Sequence, residues 1–152
     1  MFETTEDKAS PRIKQLSIFL ENRLGALLGV TRVLEQHTIN ICALSITDAA
    51  DHAVVRLVVD RPSLAAASLQ ADGYHLLESD LLGIALPATR VGGFRKVLTA
   101  LARAELNVNY VYAVATHAPV GAVLALHVED MDRAARVLVD SGMALVGQDD
   151  LG

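Results

Sequence analysis

The chain has 152 residues, 52% of them hydrophobic and 20% charged, a balance that supports one or two packed cores and excludes intrinsic disorder. Thirteen Lys and Arg against 18 Asp and Glu give a formal net charge of -5; with no basic run anywhere, neither nucleic acid nor an anionic membrane is an expected partner. A mean hydropathy of +0.36 leaves apolar surface beyond what one core absorbs and points to an interface.

Residues 1–12, MFETTEDKASPR, are polar and charged where a signal peptide needs an apolar core. They read as a flexible tail. No run approaches the length of a membrane span, and one cysteine, Cys42, forms no internal disulfide. Both features fit a cytoplasmic protein. From Leu16 to Leu20 the apolar residues alternate as in a half-buried strand, and the spacing then turns helical at Leu24, Leu27, Leu28, Thr31 and Leu34. Ile39 to Thr47 and Ala53 to Val59 are two β-rich runs separated by a polar turn, Asp48 to His52. A second helix follows, with Asp60 as its cap, Pro62 in its first turn and Gly73 closing it. His75 to Glu78 is a short closing strand.

The chain then repeats itself after about 67 residues. Leu16, Ile18 and Leu20 recur as Leu82, Ile84 and Leu86. Gly25, Leu27, Val30 and Leu34 recur as Gly92, Phe94, Val97 and Leu101, and Ile39-Asn40-Ile41 as Leu106-Asn107-Val108. Ala65, Ala66, Leu69 and Gly73 match Ala134, Ala135, Leu138 and Gly142. The second copy predicts strands at Leu82–Leu86, Val108–Thr116, Gly121–Val128 and Ala144–Gln148, with helices at Gly93–Ala104 and Met131–Ser141. Each copy is thus βαββαβ, giving an α+β fold of two tandem ferredoxin-like domains with antiparallel sheets and helices on one face. The division is 13–80 and 81–152, joined near Ser79 to Leu81. The sheet face away from the helices has no cover within a copy, so the other copy is expected to supply it.

No nucleophile elbow, phosphate-binding glycine loop or dinucleotide fingerprint occurs. His37, His52, His75, His117 and His127 lack metal-site spacing, although His52 follows Asp48 and Asp51 in one turn. No catalytic residue, metal or cofactor is expected, and the chain reads as a non-enzyme. What recurs is the turn into the first helix. Glu21-Asn22-Arg23-Leu24-Gly25-Ala26-Leu27 delivers a helix amino terminus with unpartnered N–H groups and a glycine that permits close approach. Asn22 can cap the helix or reach a ligand, and Asn40 and its repeat Asn107 carry the same ambiguity. Tyr110 and Tyr112 share one side of their strand, Asn109 the other, which suits an interface, a pocket wall or sheet packing.

The run ENRLGALLGVTRVLEQHTINI resembles the opening of an ACT domain, and both copies carry its pattern of strand, short loop ending near a glycine, helix with an apolar stripe, and strand. The resemblance covers residues from about 13 to 150 and implies a non-catalytic regulator that holds a free amino acid between paired domains and transmits its presence through homodimer geometry. It places ligand contacts at Asn22, Arg23, Leu24, Gly25, Ala26 and Leu27 with Asn40 and Ile41. In the second copy they fall at Arg90, Val91, Gly92, Gly93 and Phe94 with Asn107 and Val108. Leu24 and Val91 stand where the family commonly has proline, and Ala88-Thr89-Arg90 replaces Glu21-Asn22-Arg23 in the second copy, so the two sites are not expected to be equivalent; if only one binds, the loop from Asn22 to Leu27 is the expected one. The alternative is a regulatory subunit that docks on an amino-acid biosynthetic enzyme, as the acetolactate synthase regulatory subunit does, without a ligand of its own.

Overall fold

The period-two and period-3.6 patterns are both realised in the computed structural model, which describes residues 11–21, 24–48, 51–86, 91–116 and 121–151. The first half runs β1 (Ile13–Glu21), α1 (Leu24–Gln36), β2 (Ile41–Asp48), β3 (His52–Val59) and α2 (Pro62–Ala71), leading into β4 (His75–Leu86). The second continues with α3 (Gly93–Arg103), β5 (Val108–Val114), β6 (Ala122–Val128), α4 (Met131–Asp140) and β7 (Ala144–Val146).

Alternation puts Leu16, Ile18 and Leu20 of β1 on the same face as Val55, Leu57 and Val59 of β3. There they are buried under Val30 and Leu34 of α1 and Ala65 and Leu69 of α2. The second half repeats this core with Leu82, Ile84, Leu126 and Val128 under Val97, Leu101, Ala134 and Leu138. Each large side chain so buried contributes roughly 1.5–3 kcal/mol. The backbone repeats as well. Thr38 and Glu105 take positive φ angles of 55° and 57° at the ends of α1 and α3, and β2 and β5 are both bulged, between Ile41 and Ala43 and between Val108 and Tyr110.

The strand order is β2-β3-β1-β4-β6-β5, with β7 also on β4. The strand over His75 to Glu78 and the strand over Leu82 to Leu86, expected as separate pieces, are one 12-residue strand. Its first part pairs with β1 from His75 to Leu81; its last part pairs with β6 and, from Gly83 to Ala85, with β7. No turn residue interrupts Glu78-Ser79-Asp80, and Asp80 lies directly opposite Lys14, whose ammonium it holds at 2.7 Å. This carboxylate raises the Lys14 pKa, chiefly through the hydrogen bond.

The sheet faces that the helices leave bare pack on each other. Ile13, Ala43, Val58 and Leu81 meet Val114, Val123, Ala125 and Val146 in a third buried cluster, as expected for faces that lack cover within a copy. Gln148, just after β7, ties the halves further by accepting from the Lys14 N–H at 3.0 Å and donating to the Val59 carbonyl at 2.8 Å.

Two local expectations are corrected. Asp60 does not cap α2: the capping position is Arg61, with no side-chain bond. The Asp60 carboxylate instead accepts from the N–H of Asn40 at 3.0 Å and from its Nδ2 at 3.1 Å. β7 also ends at Val146 rather than Gln148, because the chain turns into a short 3-10 segment closed by Asp150 on the Gly147 N–H.

Candidate functional site

Where the bare faces meet, one polar cluster interrupts the apolar packing. Alternation along β1 sends Gln15 to the face opposite Leu16, and the second half covers it completely. Its Nε2 donates to Ser79 Oγ at 3.0 Å and to Tyr110 Oη at 2.7 Å, while its Oε1 accepts from Tyr112 Oη at 2.6 Å. The two tyrosines thus reach across from β5 to the first half. Tyr110 is sandwiched further: the Arg56 guanidinium lies 4.2 Å from its ring centroid, and the His127 ring stacks on it at 4.8 Å. Arg56 is also held by Thr47 Oγ1 at 3.0 Å, and His127 Nδ1 lies 2.9 Å from Asn109 Nδ2. Burial drives the Tyr112 phenol well above its usual pKa, with Tyr110 adding to the rise and Arg56 opposing it. Tyr112 therefore keeps its proton at neutral pH, and the Arg56 guanidinium rests on the negative face of the Tyr110 ring.

A backbone bond also joins the halves. The Ala115 N–H donates to the Cys42 carbonyl at 2.8 Å. This places the start of β2 against the end of β5. Val114 lies opposite Val123 of β6, which lies opposite Ala85 near the end of β4. Gly93 sits against the Leu86 side chain at that same end of the second half. The start of β2 in one half is therefore held at the end of the other half where α3 begins. Burial, and then the nearby Asp60 carboxylate, push the Cys42 thiol pKa up, so at neutral pH it is a thiol and a poor nucleophile.

The residues singled out from the sequence distribute as follows. Asn22, Arg23 and Arg90 lie outside the described residues. Leu24 opens α1, Gly25 is exposed with open space around it, and Ala26 and Leu27 pack against the first core. Asn40 is tied to Asp60, and Ile41 is exposed beside it. Within one half, Gly25 and Asn40 are not neighbours: α1, 13 residues long, separates them by about 20 Å at 1.5 Å per residue. The same holds for Gly92 and Asn107 across α3. Val91 is fully exposed, Phe94 is 41% exposed, and Gly92 takes the left-handed conformation at φ 92° as the α3 cap. Asn107 is exposed and its carbonyl accepts from the Glu129 N–H, while Val108 packs against the second core.

Sequence reasoning missed Gln15, Arg56 and Ser79, and treated His127 as an isolated strand histidine. His117 lies outside the described residues. Among the described residues no group of three or more His, Cys, Asp and Glu side chains is placed to hold a metal ion. No helix there is long and apolar enough to cross a membrane.

With this geometry in view, the ACT domain pair model matches residues 12–152. The chain belongs to the ACT domain family. ACT domains are regulatory modules, and both halves of this chain are built on the family's βαββαβ plan. Among solved structures, protein BT0572 from Bacteroides thetaiotaomicron is 33% identical, with a TM-score of 0.84 over 94% of this chain and 97% of that one. The ligand-free regulatory subunit of aspartate kinase from Thermus thermophilus has a TM-score of 0.59 at 15% identity, covering 87% of this ACT pair and 93% of its own chain. The corresponding subunit from Thermus flavus gives 0.54 at 15% identity, covering 89% and 99%. At that identity these two share the fold. No curated protein matches the sequence.

Proposed function

We propose that this ACT domain pair is a non-catalytic sensor that binds a free amino acid where its halves meet and reports occupancy through the geometry of a homodimer. The observation that carries the reading is the Ala115 to Cys42 backbone bond. It sets the start of β2 in one half at the end of the other half where Gly92, Gly93 and Phe94 open α3. An amino acid there meets unpaired N–H groups of a helix start for its carboxylate and backbone carbonyls for its ammonium. Gly92 has no side chain to block the approach, and no side-chain cap competes for those N–H groups. Asn22 to Leu27, with Asn107 and Val108, form the matching candidate set for the other loop. Arg23 and Arg90 are candidate carboxylate partners beside these loops. The fold shared with aspartate kinase regulatory subunits supports a regulatory role.

A second reading, docking on a biosynthetic enzyme, is favoured by one observation. Leu28 of α1 and Leu44 and Ile46 of β2 are large apolar residues exposed by 57%, 46% and 48%, surface that suits either a second copy or an enzyme partner.

A thermal-shift screen against free amino acids separates the two, because a ligand that binds only the folded state raises its melting point by mass action. The chain has no Trp, so an external dye serves as reporter. A shift confined to one chemical class, and lost in a folded Gly92→Val or Gly25→Val variant, is the expected result. The absence of any shift at millimolar concentrations rejects the sensor and leaves the docking subunit.

A further inference from the structure

The two halves share a fold but differ on their outer helical faces. In the first half, α1 carries Leu28, Gly29 and Gln36, and a side chain at Gly29 would run into the Tyr74 hydroxyl, which fills the space beside the helix. The corresponding residues of the second half are Arg95, Lys96 and Arg103 on α3, with Met143 in place of Tyr74. These residues border a groove of about 940 Å³ between α3 and α4. Arg95, Lys96 and Arg103 line it against a single acid, Asp140, over apolar ground that includes Val137 and Met143.

The fold does not need these cations, since the first half builds the same helix pair without them. Nor are they spent elsewhere: among the described residues, none of the three has an ion pair or a side-chain hydrogen bond. Arg95 and Lys96 stand in the first turn of α3, which holds no acidic residue, so the positive end of the helix dipole opposes them. A surplus of positive charge thus collects in one groove of a chain whose net charge is -5. Lys96 and Arg103 lie on one stripe of α3, about 10 Å apart along its axis, a spacing that suits several linked anionic groups rather than one carboxylate. Arginine pairs with phosphate oxygens through its planar fork and lysine as a point charge. The volume is that of a small-molecule site.

We propose that the groove between α3 and α4 binds an oligophosphate, free or as the phosphate chain of a nucleotide. The groove shares Val91 and Gly92 with the candidate amino-acid loop, but the proposal rests on Arg95, Lys96 and Arg103 and does not depend on the amino-acid reading. Isothermal titration of the full chain with sodium tripolyphosphate and with ATP tests it, using the wild type, the double variant K96Q/R103Q and the control R32Q, which removes an exposed cation of α1 outside the groove. Saturable binding of either probe, weakened at least tenfold in K96Q/R103Q, unchanged in R32Q and falling with added salt, is the expected result. Tighter binding of ATP than of tripolyphosphate assigns the base to the apolar ground, and equal binding assigns the affinity to the phosphates alone; both support the site. No saturable binding of either probe overturns the proposal, as does equal affinity in K96Q/R103Q or an equal loss in R32Q. Should the double variant not fold, amide shift changes at Lys96 and Arg103 in the titrated wild type support the site, and their absence overturns it. Amino-acid binding measured in K96Q/R103Q separates this result from the sensor function.

Discussion

Gln15→Leu is the substitution that probes how the halves are held together. The side chain is fully buried and makes three hydrogen bonds, to Ser79, Tyr110 and Tyr112. Leucine fills a similar volume but leaves the Tyr112 hydroxyl without its acceptor and removes the donor that serves Tyr110 and Ser79. A buried polar group left unpaired costs about 1–3 kcal/mol. Tyr112 bears that cost most fully, so the expected loss is about 3 kcal/mol, or roughly 6–12 °C in Tm for a chain of this size. Urea unfolding followed by far-UV circular dichroism, with calorimetry alongside, measures both. The decisive control is the triple variant Q15L/Y110F/Y112F. Replacing both partners of a buried hydrogen bond by apolar groups is close to neutral, so this variant should recover to within about 1 kcal/mol of the wild type. A Gln15→Leu loss below about 0.5 kcal/mol, within the range of ordinary surface substitutions, would show that the buried cluster does not hold the halves together, and so would a triple variant no more stable than the single one.

Four further outcomes follow from the same geometry. The Tyr112 pKa is raised in the folded state by burial, so above about pH 10, the ordinary tyrosine value, the unfolded chain loses this proton while the folded chain keeps it. Stability contributed in this way is intact below that pH and falls as pH rises, by at most about 1.4 kcal/mol per pH unit; Tyr112→Phe should flatten the decline, as alkaline urea titrations will show. Gly83→Ala should cost about 1–3 kcal/mol, because an added Cβ would lie 2.6 Å from the Val146 carbonyl oxygen. Gly25→Ala, in open space within α1, should be neutral or stabilising in the same melts. Cys42 should react with a thiol reagent at pH 8 more slowly than a free thiol, since burial holds its pKa up. An amino acid seated at the start of β2 should slow it further, and an unchanged rate at saturation would remove the ligand from that junction.

The repeat made most of the fold legible. Paired apolar positions gave both cores, and Gly73 and Gly142 marked both helix ends, where each takes a positive φ. The continuity of β4 was hidden by Glu78-Ser79-Asp80, whose polarity reads as a joint but reflects an exposed position at Glu78, the partner of buried Gln15 at Ser79 and the cross-strand partner of Lys14 at Asp80. Gln15 was invisible for a related reason. On an alternating strand it occupies the phase that normally faces water, and only the folding of one half over the other buries it. The common side of the two tyrosines is legible in the sequence, but the choice between pocket, interface and packing rests on their bonds to Gln15, which only the crossing of the halves creates. The candidate loops are legible as local motifs. Which strand start faces which loop was not, because that depends on how the halves cross, and no local pattern encodes the crossing.

Binding of a free amino acid where one half meets the other can be put to a single decisive measurement. This is a two-dimensional amide NMR titration of the full chain with each of the twenty amino acids at millimolar concentration. Saturable shifts from one chemical class are expected, centred on Ile41 and Cys42 together with Gly92 to Phe94, or on Gly25 to Leu27 together with Asn107 and Val108. Spectra unchanged by all twenty would contradict the sensor, as would shifts scattered over surfaces remote from both loops.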